Sequence, residues 1–82
     1  MKIKEKLASR EIAGELYIVD IEAEILHALN PTAAFLWECL KKGLTAEKAA
    51  LRLAAEFEVS PQDAQNDTEL FIKTLKNKGL IS

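Results

Sequence analysis

The residues best suited to chemistry crowd one stretch, "EILHALNPTAAFLWECL" (Glu24 to Leu40), which holds His27, Trp37 and Cys39, the only residues of their types. A Cys–His pair works as nucleophile and base only with a third group to orient the base and an oxyanion hole. A metal site needs three or four ligands at workable spacing, and one His with one Cys falls short. Nothing nearby completes either set. His27 and Cys39 are therefore expected to be structural or surface residues, and the chain is expected to be no enzyme and to hold no metal or cofactor. Gly14, Gly43 and Gly79 are too scattered for a phosphate loop and suit turns or caps instead. Trp37 reads as a core anchor whose indole N–H still needs a partner or a route to solvent.

Composition narrows the classes. Eighty-two residues make a single domain, 1–82. A chain of this size buries about 60% of its unfolded surface, leaving little room for an enclosed substrate cavity. With 49% hydrophobic and 29% charged residues it reads as globular rather than disordered. A net charge of -2 gives no electrostatic reason to favour nucleic acid or an anionic membrane, so neither is expected as a partner. One cysteine excludes an internal disulfide framework and fits a reducing cytosol, so a cytoplasmic protein is expected. The start "MKIKEKLASREI" lacks an apolar h-region, and no apolar run approaches the roughly 20 residues of a membrane span.

The elements that position these residues follow in order. Met1 to Leu7 is expected to be a frayed terminus that can extend the first strand. Ala8 to Leu29 reads as a three-stranded antiparallel meander. Its first turn lies at Ala13-Gly14, where glycine suits positive φ. Leu16 to Val19 is apolar on both faces, as in a strand covered by other elements, and "DIEAE" supplies a polar turn before a third strand, Glu24 to Leu29. Asn30 caps helix one with Pro31 at its first position, and the helix runs to about Lys42 before a glycine cap at Gly43-Leu44. Ala33, Leu36, Trp37 and Leu40 form its buried stripe. Thr45 caps helix two, whose core face is Ala49, Ala50, Leu53, Ala54 and Phe57. Ser60-Pro61 with Asp63 opens helix three, which ends near Lys78 at Gly79-Leu80. The expected fold is α+β, three strands followed by three helices, with a winged-helix-like arrangement.

Helix three carries two stripes. Ala64, Thr68, Phe71 and Leu75 face the core, whereas Asp63, Asp67, Leu70 and Thr74 form an adjacent face of mixed polarity. Two uses are open for that face. As a DNA-recognition helix it should present Lys and Arg, yet it opens with Asp63, Asp67 and Glu69, and the acidic balance works against the counterion release that normally drives duplex binding. As one wall of a groove beside the third strand, it would serve peptide binding by strand addition, because an edge strand offers unpaired N–H and C=O groups. A solvated flank and a guarded edge account for the same residues equally well.

From Leu16 to Ile81 the pattern becomes more specific. "LHALNPTAAFLWECL", "KGLTAEKAALRL" and "VSPQDAQNDTELFIKTLKNKGLI" together resemble the PqqD family, small proteins similar to the one acting in pyrroloquinoline quinone biosynthesis. These are also known as recognition elements of ribosomally made, modified peptides. The resemblance spans about Arg10 to Ile81. It implies a non-catalytic, chaperone-like module that binds the leader of a precursor peptide and presents it to a modifying enzyme, in several cases a radical SAM enzyme. It further implies that the leader adds as a strand at Glu24, Ile25, Leu26, His27, Ala28 and Leu29 and lies against Asp63, Asp67, Leu70 and Thr74. Helices one and two would be scaffold. The alternative is a winged-helix-like nucleic-acid-binding protein.

Overall fold

Ala13 and Gly14 both take positive φ, 53° and 83°, the conformation a two-residue type I′ turn demands. In the computed structural model, which describes residues 1–82, this turn joins β1 (Leu7–Ile12) to β2 (Glu15–Asp20) as a hairpin. A second turn brings back β3 (Ile25–Leu29), so the sheet is antiparallel in the order β1-β2-β3, with β3 an edge. Glu24 has φ 57° and closes that turn, so β3 starts one residue later than the sequence suggests. Asp20 holds the same turn from its other end, its Oδ1 accepting from the Ala23 N–H at 3.1 Å.

Strand alternation divides the sheet into two faces. Leu16, Ile18 and Asp20 share one face with their partners Leu29, His27 and Ile25, and Ile18 and Asp20 are buried there. Tyr17 and Val19, with Ala28 and Leu26 opposite, lie on the other face and are half-buried or exposed. Thus β2 is covered on one face only. Its apolar run reflects its central position in the sheet rather than burial on both sides.

Three helices follow: α1 (Pro31–Lys41), α2 (Ala46–Phe57) and α3 (Pro61–Asn77). Each begins on a side chain that accepts an otherwise orphaned N–H. Asn30 Oδ1 takes Ala33, Thr45 Oγ1 takes Lys48, and Ser60 Oγ takes Asp63. α1 and α3 end alike. Gly43 and Gly79 sit at φ 84° and 73°, and the next N–H, of Leu44 or Leu80, reaches back to Cys39 or Leu75. Together with the Gly43 to Leu40 and Gly79 to Lys76 bonds, this is the Schellman pattern.

Two apolar clusters hold the layers together. Ile18 of β2, Trp37 and Leu40 of α1, Leu75 of α3, and Leu80 and Ile81 beyond it form the first, with Leu29, Phe71 and Ile72 packed against it. Leu36, Cys39, Ala49, Leu53 and Ala64 form the second, where small residues let α1, α2 and α3 approach closely. Trp37 is 2% exposed and its Nε1 has no hydrogen-bond partner, so neither the partner nor the solvent route expected for it exists.

The first residues are not frayed. Lys2 and Ser82 exchange two backbone hydrogen bonds of 2.9 Å, Lys4 N–H donates to Leu80, and Ile3 bridges Ile81. The alternating "KIK" packs half-buried Ile3 against the core, leaves Lys2 exposed and turns Lys4 towards Asp20. No helix is long and apolar enough to cross a membrane.

Candidate functional site

The ladder itself shows which backbone groups of β3 are free. A two-residue turn makes Ile12 and Glu15 a hydrogen-bonded pair, and such pairs alternate along antiparallel strands. Tyr17 and Val19 therefore direct their N–H and C=O groups towards β1, while Leu16, Ile18 and Asp20 direct theirs towards β3. Their partners Leu29, His27 and Ile25 are thus satisfied within the sheet. Leu26 and Ala28 point theirs away, along the open edge. Side chains at this edge do little to guard it: Ile25 and Leu26 are 48% and 56% exposed.

The chain leaves β3 through Asn30 and enters α1 at once, so the first turns of α1 stand beside the end of the edge. There they meet α3. Asn30, Thr32, Ala33 and Leu36 on one side and Asp67, Leu70, Phe71 and Thr74 on the other line an open cleft of about 350 Å³. Leu29 and Phe71 pack against the same core cluster, which ties the end of β3 to the cleft wall. Leu70 projects to 65% exposure on the α3 wall of this cleft. Asn30 is already committed, its Oδ1 accepting from the Thr32 hydroxyl as well as from Ala33. A broader depression of about 740 Å³ lies at the hairpin end and includes Ala28, Leu29 and Asn30, so the two hollows meet at Asn30.

Three of the four helix residues expected to share a wall, Asp67, Leu70 and Thr74, are brought together. Asp63 lies a turn earlier at the start of α3, exposed and outside the cleft. Of the strand residues, Ile25, His27 and Leu29 face the helical layer, Leu26 and Ala28 face the open side, and Glu24 belongs to the turn. The α1 contribution was missed by sequence reasoning, which assigned this helix to the scaffold. The available signal was Asn30-Pro31 itself, since a cap placed directly after an edge strand leaves the first helical turn nowhere else to go.

The reactive candidates separate. Cys39 is enclosed by Leu36, Ala49, Leu53 and Ala64, none of which can take a proton, and burial raises its thiol pKa. His27 lies on β3 opposite Ile18, in another cluster's reach. No group of three or more His, Cys, Asp or Glu side chains is placed to hold a metal ion.

The structure is similar to TbiB1 in complex with the TbiA(β) leader peptide, at TM-score 0.89 and 24% identity over 100% of this chain and 95% of that one. It is equally similar to lasso peptide synthetase B1 complexed with the leader peptide, at TM-score 0.89 and 23% identity over 99% and 95%. Both likenesses establish the shared fold. Among curated proteins none matches. The family model described as coenzyme PQQ synthesis protein D (PqqD) matches residues 15–81, from the start of β2 to the end of the core, and the chain belongs to that family.

Proposed function

We propose that this chain is a non-catalytic recognition module that captures the leader of a ribosomally made precursor peptide as a fourth strand on β3. It then presents that peptide to a modifying enzyme, for which the family resemblance offers a radical SAM enzyme as candidate. The observation that carries this reading is the pairing of an unsatisfied edge, at Leu26 and Ala28, with a side-chain cleft at its end. Backbone bonds supply affinity in strand addition and the cleft supplies selectivity. The solved structures similar to this chain are complexes with leader peptides, which supports the same reading. The lone buried cysteine suits a module acting in a reducing cytosol.

The test is a titration of isotope-labelled protein with the leader segment of a short precursor peptide encoded beside it, followed by amide spectra. Shifts are expected in residues 24–33 and along the cleft side of 63–74. Shifts confined to α2 would overturn the assignment.

A further inference from the structure

We infer that the peptide captured at this site carries a Lys or Arg two residues from an apolar side chain, and that Asp67 selects it. The inference rests on the strand-addition reading above and specifies the chemistry of the occupant. Asp67 is the only ionisable side chain lining the cleft, whose other walls are Asn30, Ala33, Leu36, Leu70, Phe71 and two threonines. It has no cation of its own. The two ion pairs of the molecule are Lys4–Asp20 and Lys41–Glu38. Three and four residues from Asp67 along α3 stand Asp63, Ala64, Leu70 and Phe71, so no neighbour on its own helix can pair with it. Lys73 and Lys76 turn to other faces at the helical advance of about 100° per residue. Asp63 adds a second negative charge one turn before.

The spacing follows from two repeats. A strand added to β3 sends every second side chain to the helix-covered face, so its cleft-facing residues recur at about 6.7 Å. Asp67 and Phe71 are separated by four helical residues, a rise of about 6 Å. For a strand running along α3, one dipeptide step matches the rise from Asp67 to Phe71. A cation at one position meets Asp67 while an apolar residue two positions away enters between Leu70 and Phe71. An acidic side chain at the first position would meet like charge from Asp67.

Sorting a displayed library of random decapeptides on the full chain tests this and requires no candidate ligand. The wild type should enrich Lys or Arg two positions from an apolar residue. Asp67→Asn, a change at an exposed position, should keep the apolar preference, lose the basic one, and bind the enriched peptide about fivefold more weakly. Asp67→Lys should enrich Asp or Glu at the same position. Apolar enrichment with no basic partner, or basic enrichment that survives Asp67→Asn, would overturn the inference and leave strand addition standing. Failure to enrich any peptide would remove strand addition, and this inference with it.

Discussion

Lys4 Nζ lies 2.8 Å from Asp20 Oδ2, joining the first residues of the chain to the end of the central strand. Asp20 is 2% exposed and Lys4 only half-buried, and the carboxylate takes its hydrogen bonds from Lys4 and the Ala23 N–H. The Lys4 hydrogen bond, then the Ala23 backbone bond, holds the Asp20 carboxyl below the usual carboxylate range. The same bond raises Lys4 above an ordinary lysine. A lowered carboxyl pKa stabilises the fold fully above the unfolded value of about 3.9 and loses that contribution as pH falls through the folded value. For Lys4 the sign is opposite, its contribution fading only as pH rises past about 10.4. Thermal unfolding from pH 7 to pH 2 should therefore show an acid limb that Asp20→Asn flattens, with the variant less stable than wild type at pH 7 and nearly equal to it at pH 2.

Trp37 is a second expected outcome. Its ring fills the centre of the first cluster, but its Nε1 is buried without a partner. An unsatisfied buried donor costs about 1–3 kcal/mol, whereas lost ring volume leaves a cavity. Trp37→Phe trades one against the other and should change stability by no more than about 1 kcal/mol in urea titrations. Trp37→Ala should cost about 3–5 kcal/mol. A large penalty for Trp37→Phe would mean that the indole N–H is satisfied in solution.

At Gly43 the cost is purely conformational. Its φ of 84° is left-handed, and a Cβ there would meet nothing within 4 Å. Gly43→Ala should destabilise by about 1–2 kcal/mol, with no further loss from a larger unbranched side chain. Matched urea midpoints for Ala and Gln variants would check this.

The parity of β3 gives a paired proline test. Ala28 points its N–H to the open edge, while His27 points its own to Ile18. Ala28→Pro should keep stability within about 1 kcal/mol, since proline suits edge positions whose N–H faces outward, yet should abolish peptide binding. His27→Pro should cost about 1–3 kcal/mol of stability by stripping a ladder bond. Equal binding by wild type and Ala28→Pro would argue against strand addition.

Leu70 separates recognition from stability. At 65% exposure its replacement by Ser should leave unfolding within about 0.5 kcal/mol of wild type. Burying a leucine against a ligand is worth about 1.5 kcal/mol, so peptide affinity should fall roughly tenfold, measurable by calorimetry.

Much of the architecture was legible because it is written in local chemistry. Asn30-Pro31, Thr45 and Ser60-Pro61 mark helix starts through hydrogen bonds no longer than a few residues, and the two Gly-Leu pairs mark ends. The mixed face of α3 was legible for the same reason, as a helical period. What the chain does over long separations was not. Lys2 against Ser82 and Lys4 against Asp20 depend on where the sheet and the last helix leave their ends, which no period or cap encodes. The α1 wall at Thr32, Ala33 and Leu36 escaped for a related reason: an apolar helix face can serve core and cleft at once.

The clasp between Lys2 and Ser82 sets the two ends of the chain side by side on one surface. A domain so closed can be spliced into a loop of a larger protein through two short linkers, because host and guest each keep their path. It also tolerates rewiring, with old ends joined by a short linker and new ones opened at the exposed Ile21–Glu24 turn. Such a permutant would carry its tether next to β3, and an enzyme fused there would stand beside the edge at which the proposed strand addition takes place.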